Sequence, residues 1–214
     1  MPRLLDRRKV RISVPQVEGL EGRVLLSVAV GEVRKRPAFS VDYVGPHRAN
    51  LNLVGASAVL KSGVSLTLSA TTAAKINTRP ASGSVADASF FVFGLDRGGP
   101  SAVALFPRRP GIRFDAVVVA RITPAGISGY VLDIARGNIQ TELDPARVKV
   151  SGRTVRVTLP PDAAASPEVA SPPTRTRFAA WSRSRLEHTL ADIDAYVASF
   201  APENATARIR VVRR

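Results

Sequence analysis

The chain of 214 residues contains no cysteine and only two histidines. Without cysteine it has no disulfide framework, no thiolate nucleophile and no iron–sulfur cluster, and two histidines are too few for a histidine-rich metal site. A chain of this length buries enough apolar surface to fold without such cross-links. We therefore expect a folded protein with no metal ion and no cofactor.

Aromatic residues and long apolar runs are also scarce. The sequence has one Trp, three Tyr and eight Phe, whereas sugar platforms and single-stranded nucleic-acid sites rely on exposed aromatic rings. No apolar run approaches the ~18 to 20 residues of a membrane-spanning helix. The nucleophile-elbow, zinc-protease, P-loop and dinucleotide-binding motifs are absent as well. We therefore do not expect an enzyme.

Acidic residues are outnumbered by basic ones, 17 against 31, which gives a net charge of +14. The excess is spread along the chain: 9 minus 4 over residues 1–36, 14 minus 9 over 37–173, and 8 minus 4 over 174–214. Arginine alternates with Val, Thr and Ala and forms no basic stripe with stacking aromatics. This distribution favours a solvated basic surface over a nucleic-acid interface.

Apolar residues alternate with polar ones from Phe39 onward, and Gly, Pro and Asn separate the alternating segments. Period-two alternation is typical of strands with one buried and one wetted face. The alternating sets are Leu51, Leu53; Val64, Leu66, Leu68; Phe91, Phe93; Val117, Val119; Tyr130, Leu132, Ile134; and Val155, Val157, Leu159. The sequence therefore predicts an all-β fold, a single antiparallel β-sandwich with jelly-roll-like character and about ten strands.

Two segments of this sandwich can be predicted in more detail. Residues Val148–Val157 form two alternating runs around Ser151-Gly152, which indicates a hairpin. The run Val117–Ala120 is apolar at every position and indicates a central strand covered on both sides.

Domain boundaries follow from composition. Residues 1–36 are a basic N-terminal segment that ends in an Arg-Lys-Arg-Pro linker, and residues 37–214 form the sandwich domain. A Pro/Ala-rich loop at 160–174 precedes the last part of the domain.

The C-terminal part allows two interpretations. Apolar residues spaced by four and three positions fit a short amphipathic helix over Ser184–Ser199. A break near Asp192 instead makes Ala195–Phe200 a strand. Residues Ala207–Val212 supply a last strand in either case.

The N-terminal segment carries a short ordered motif. Five of its residues match a Leu-Glu-Pro-Arg-x-Leu-Leu pattern, with Gly22 in place of proline: Leu20, Glu21, Arg23, Leu25 and Leu26. This motif resembles the N-terminal sorting signature of planctomycete-type surface and exported proteins, and the resemblance implies export. The alternative is that Val24–Val30 is an ordinary first strand.

An internal pair of segments, Phe91–Gly99 and Gly111–Val119, carries a resemblance of residues 86–160 to the DOMON and family-nine carbohydrate-binding β-sandwich modules. The resemblance makes Asp96, Arg97 and Asp115 candidate ligand-binding residues. Two carboxylates do not provide the six to eight oxygen ligands of calcium. The alternative is structural: Asp96 caps a turn, and Asp115 pairs with Arg113 or Arg121.

Trp181 is the sole Trp and the remaining candidate for ligand binding. It is either an exposed aromatic platform for a sugar or a core residue at the edge of the sandwich.

These observations give three hypotheses of function. The first is an exported or cell-surface, non-catalytic β-sandwich that binds an extracellular polymer or carbohydrate. The second is an intracellular nucleic-acid-binding protein with steeply salt-dependent affinity. The third is a carboxylate-dependent hydrolase, which requires Asp and Glu carboxyls to converge in one cleft.

Overall fold

The computed structural model describes residues 31–81, 88–170, 172–184 and 195–213. The sorting-motif residues and the alternative strand Val24–Val30 lie outside the described residues. Within the described residues, strands form two packed sheets. Numbered in chain order, the strands are β1 Glu32–Arg34, β2 Leu53–Lys61, β3 Ser65–Thr72, β4 Ser89–Asp96, β5 Ala116–Thr123, β6 Gly126–Asp133, β7 Ile139–Glu142, β8 Val148–Ser151, β9 Thr154–Leu159, β10 Arg177–Arg183, β11 Val197–Ala201, β12 Ala207–Arg208 and β13 Arg210–Val212.

The six-stranded sheet has the order β1-β2-β3-β9-β8, with β13 also paired to β2. The seven-stranded sheet has the order β11-β10-β4-β5-β6-β7, with β12 also paired to β10. All pairs are antiparallel except β13 with β2. Strands β4 to β7 follow one another in space as they do in sequence, which makes this part of the sheet a meander. The expected all-β sandwich is confirmed.

The main core lies between the two sheets, and period-two alternation explains it. In β3, Leu66, Leu68 and Ala70 are buried, while Thr67 and Ser69 between them are only partly buried. Successive side chains of a strand point to opposite faces, so the apolar set faces the core and the hydroxyl set faces outward. Phe91 and Phe93 of β4 meet this core from the other sheet.

A second apolar layer covers the outer face of the seven-stranded sheet. Val117 and Val119 of β5 point into this layer, whereas Val118 points into the main core. The loop that joins β4 to β5 folds back over the sheet and places Phe106 and Phe114 on it. This layer explains why β5 is apolar at consecutive positions, and it confirms the predicted central strand covered on both sides.

The predicted hairpin is confirmed as β8 and β9. Ser151 pairs with Thr154, and the turn between them begins at Gly152, whose φ is +58°. Glycine adopts this left-handed conformation without steric cost.

The sandwich domain begins before residue 37, where the sequence placed its boundary. β1 lies within the predicted N-terminal segment 1–36, yet Val33 pairs with Ala56 of β2 and is buried. Lys35 follows β1 and donates hydrogen bonds from Nζ to Ser199 Oγ (3.1 Å) and to the Phe200 carbonyl (3.0 Å). These contacts tie the end of the predicted linker to β11, so it belongs to the domain.

The C-terminal strand interpretation is the one observed in the described part of this region. Val197–Ala201 is strand β11, so a helix continuing to Ser199 is wrong, and positions 185–194 lie outside the described residues. The predicted last strand is split into β12 and β13, which belong to different sheets. Ile209 lies buried between them, where the chain crosses from one sheet to the other.

The Pro/Ala-rich loop contains two short 3-10 turns, Pro161–Ala164 and Pro173–Arg175, and each begins with proline. A search of the described residues for a helix long and apolar enough to cross a membrane found none.

Candidate functional site

The outer face of the six-stranded sheet is polar and basic. We call it the cationic face, defined as the outward side chains of its strands together with Arg153 in the β8–β9 turn. Its hydroxyl residues are Ser57, Ser65, Thr67, Ser69, Thr71, Ser151, Thr154 and Thr158. Its basic residues are Arg34, Lys61, Lys149, Arg153, Arg156 and Arg210, and its acidic residue is Glu32. The register of the strands therefore gathers six cations and one acid from β1, β2, β8, β9, β13 and the β8–β9 turn.

Most of these cations have no counter-charge. Arg34 pairs with Glu32, with 2.8 Å between Nε and Oε1. Within the described residues the other five make no ion pair. Lys149 and Arg156 even stand directly opposite each other on β8 and β9, and like charges at such positions destabilise a sheet. An anion on this face would relieve that repulsion.

A groove with a volume of about 330 Å³ crosses the cationic face next to β1. Gly55, which has no side chain, lines the groove, and the pairing of β2 with β3 shifts beside it, between Leu53 and Gly55. Arg34 and Arg153 both line the groove.

The floor of the groove carries free hydroxyl groups. Ser57 and Ser69 face each other across β2 and β3 and line the groove. Neither hydroxyl makes a hydrogen bond among the described residues, whereas Thr71 and Thr154 bond to each other at 3.2 Å. The two serines are therefore available to a ligand.

A second charged centre lies at one end of the seven-stranded sheet, and we call it the Arg97 cluster: Arg97, Asp115 and Asp133. Arg97 Nε donates to Asp115 Oδ1 at 2.9 Å. Its Nη1 and Nη2 donate to the two carboxylate oxygens of Asp133 at 3.1 and 2.7 Å. Arg97 and Asp115 are 5% and 0% exposed.

The electrostatics of the Arg97 cluster follow from burial and pairing. Burial lowers the pKa of Arg97, but the carboxylates of Asp133 and Asp115 outweigh it, and the pKa stays above its usual value. Burial raises the pKa of Asp115, and the Arg97 guanidinium opposes that shift. Because Arg97 directly follows β4, Asp115 directly precedes β5 and Asp133 ends β6, one guanidinium fastens three neighbouring strands together. The cluster acts as a structural clamp.

The sequence predicted part of this cluster. Arg97 and Asp115 do come together, but Asp115 pairs with Arg97, so the predicted pairing with Arg113 or Arg121 is wrong. Arg113 donates instead to the Ala102 carbonyl, and Arg121 donates to Ser128 and Glu142.

Asp96 lies beside the cluster and accepts a hydrogen bond from the Gly98 amide at 3.1 Å, as the turn-capping alternative predicted. The sequence missed Asp133. The end of β4, the start of β5 and the end of β6 lie at the same end of the meander. This arrangement could have indicated that Asp133 lies beside Arg97 and Asp115.

A cleft of about 260 Å³ opens between the sheets beside the Arg97 cluster. Its walls include Val118, Val131 and Leu159, and Asp133 and Asp162 both line it. The Asp133 carboxylate is held by the bidentate Arg97 contact, and Asp115 has no solvent-exposed surface. General acid–base chemistry needs a carboxyl that reaches the substrate proton. The two carboxylates that line the cleft are Asp133, which Arg97 holds, and Asp162.

Trp181 belongs to the apolar layer on the outer face of the seven-stranded sheet. It is 4% exposed, and its ring lies edge-on to Phe106 with 5.1 Å between centroids. The exposed sugar platform is therefore wrong, and the core alternative is the one observed. An apolar ring of this size is stabilised here because the β4–β5 loop covers it.

No metal centre is found in the described ranges, since no three His, Asp or Glu side chains cluster there in a way that could hold an ion. Comparison with protein-family models, with curated proteins and with solved structures gave no match. The two resemblances of the sequence therefore stay predictions, and a function is proposed below from the geometry of the candidate site.

Proposed function

We propose that the protein is an exported, non-catalytic β-sandwich that binds an anionic polymer outside the cell through its cationic face. The observation that carries the proposal is the charge of that face, six cations against Glu32, five of them without an ion-pair partner in the described residues. An unpaired cation costs little in water, but opposed cations such as Lys149 and Arg156 cost stability. A bound polyanion compensates both.

The shape of the cationic face suits a polymer better than a single small anion. Strands β1 and β8 are separated by four strand spacings of about 4.8 Å, so roughly 19 Å lie between their backbones. The basic side chains of the face are distributed over that width. A polymer with repeated negative charge contacts several of them at once, and guanidinium groups bind carboxylate, sulfate or phosphate through paired hydrogen bonds.

Export is supported by the N-terminal motif that contains Leu20, Glu21 and Arg23. The test is fractionation of native cells with mass-spectrometric mapping of the mature N-terminus. We expect the protein in the envelope or medium, with the residues before about Val30 removed. Full-length protein in the cytoplasm would overturn the export proposal and favour nucleic acid as the polyanion.

Binding is tested with charge-reversal variants and a polyanion panel. The double variant Lys149→Glu with Arg156→Glu changes the cationic face by four charges, and we expect it to lose at least tenfold in polyanion affinity at low salt. The matched control, Arg175→Glu with Arg208→Glu, makes the same change in net charge at exposed positions away from this face. Equal losses in the two variants would mean that net charge alone attracts the polymer, which would contradict a specific face.

A further inference from the structure

We infer that the groove of the cationic face is a subsite for an acidic polysaccharide, whose charged group lies on an arginine and whose hydroxyl groups lie on the groove floor. This inference rests on the proposed function and narrows its ligand from any polyanion to one chemical class. It depends on three features of the groove: its two arms, its floor and the absence of aromatic side chains on the described face.

Two arginines form the arms of the groove, and only one of them is held by an ion pair. Arg34 extends from β1 and is held by Glu32, whereas Arg153 lies in the β8–β9 turn with an exposed side chain and no ion pair among the described residues. A carboxylate or sulfate pairs with the free guanidinium of Arg153 through two parallel hydrogen bonds. Glu32, on the opposite side, accepts hydrogen bonds and repels anions, so it fits a hydroxyl group of the ligand.

The floor of the groove is built for uncharged polar groups. Ser57 and Ser69 offer two free hydroxyls, and each hydroxyl both donates and accepts a hydrogen bond. A sugar ring carries hydroxyl groups that satisfy both roles. Polyphosphate carries only acceptors and leaves the accepting capacity of these serines unused.

The cationic face has no aromatic side chain at the outward strand positions that the structure describes. Single-stranded nucleic acids gain much of their affinity by stacking bases on aromatic rings. Without such rings the face offers a nucleic acid polar contacts but no stacking. The combination of free hydroxyls, one free arginine arm and no stacking surface favours an acidic polysaccharide over a nucleic acid.

The first experiment compares polyanions of similar length on the full chain at one ionic strength. Polygalacturonate supplies carboxylates on a sugar backbone, chondroitin sulfate supplies sulfates as well, and polyphosphate and single-stranded DNA supply charge without sugar hydroxyls in that pattern. We expect at least one of the two polysaccharides to bind about tenfold more tightly per charge than polyphosphate and DNA. Equal or tighter binding of polyphosphate or DNA would overturn the inference.

The second experiment removes the groove floor. The double variant Ser57→Ala with Ser69→Ala deletes the free hydroxyls, and because each lost hydrogen bond lowers affinity a few-fold, we expect about a tenfold loss for the bound polysaccharide. Polyphosphate affinity should fall less, because polyphosphate can use only the donating capacity of these serines. The control, Thr67→Ala with Thr158→Ala, removes two outward hydroxyls of the same sheet that do not line the groove.

The outcomes separate this inference from the proposed function. Parallel losses in the serine and threonine variants, or no loss in either, would overturn the groove as the subsite while binding to the cationic face stands. No binding of any polyanion by the wild-type chain would overturn both. Unfolding curves of all the variants identify any loss of affinity that comes from misfolding.

Discussion

The two outer faces of this sandwich differ, because one is covered by protein and the other is not. In both sheets, successive side chains of a strand point alternately to the inner and the outer face. The outer face of the seven-stranded sheet is covered by its own loop, which packs Phe106 against Trp181. The outer face of the six-stranded sheet stays uncovered by the described residues and presents hydroxyls and cations. The β4–β5 loop of 19 residues, from Arg97 to Asp115, supplies the cover on one side. The hairpin turns of the other sheet, three residues between β2 and β3 and two between β8 and β9, are too short to supply any.

Arginine shows the same contrast. On the covered side, Arg109 is buried with its guanidinium 4.3 Å from the centre of the Phe200 ring, and Arg97 is clamped between carboxylates. On the cationic face, Arg156 is exposed and has no ion pair among the described residues. Arg97 serves the fold because Asp115 and Asp133 compensate its charge, and the proposed function assigns the uncompensated arginines of the cationic face to an outside partner.

The largest expected effect comes from the covered face. Phe106→Ala removes the ring that packs on Trp181, Phe114 and Phe200, and we expect it to lower the free energy of unfolding by about 4 kcal/mol. Urea unfolding followed by the fluorescence of the sole Trp measures this. On the cationic face, Thr67→Ala should change stability by less than about 0.5 kcal/mol. Comparable effects for the two variants would erase the distinction between the faces.

The Arg97 clamp should rank second. Arg97→Met leaves Asp115 buried without its partner, and breaking a buried pair in this way costs about 3 kcal/mol. The control is Arg136→Met, because Arg136 is exposed and its Nε lies 3.7 Å from Asp133. We expect the free energy of unfolding of the control to lie within about 0.5 kcal/mol of the wild-type value. If Arg97→Met unfolds like the control, the cluster is not a clamp.

A smaller effect of opposite sign is expected on the cationic face. Arg156→Thr removes the like charge opposite Lys149 and places a good strand former in β9, so we expect a gain of about 0.5 kcal/mol at low salt. The same variant should bind polyanions several-fold more weakly. Thermal unfolding and a binding titration on one preparation test both. If the variant neither gains stability nor loses affinity, Arg156 is an ordinary surface residue.

The smallest effect concerns Lys35, a partly buried cation whose Nζ bonds to neutral oxygens of β11. Burial lowers the pKa of Lys35 in the folded protein, so the unfolded chain holds this proton more tightly. The free energy of unfolding then rises with pH between the lowered pKa and the ordinary value of 10.5. We expect wild type to gain stability relative to Lys35→Gln across this window. A constant difference from pH 8 to 10.5 would contradict the shift.

The sequence predicted the fold where the signal is local. Alternation in β3 and β9 assigned the inward and outward residues, and the all-apolar run in β5 indicated cover on both sides. The groove could not be predicted, because it depends on pairing between distant segments. Leu66 of β3, for example, pairs with Leu159 of β9, and the sequence pattern of neither strand indicates which strand it pairs with.

The candidate sites show the same limit. Asp96 as a turn cap follows from its position before Gly98 and was predicted. Asp115 was assigned to arginines near it in sequence, whereas the buried partner is Arg97, brought close by the antiparallel pairing of β4 and β5. Trp181 was ambiguous because alternation does not reveal that a distant loop covers one outer face. The role of a residue that contacts its sequence neighbours, such as Asp96, could be predicted. The role of a residue that contacts a distant segment could not.

The central claim is that the uncovered face is the ligand-binding face, and an NMR titration of the amide groups with an oligogalacturonate tests it most directly. We expect shift changes at the amides of Gly55, Ser69 and Thr154, which lie on the cationic face, and no change at Gly94, which packs beneath Trp181 and Phe114. Changes confined to β6 and β7, with the amides of β2, β3 and β9 unmoved, would contradict the account.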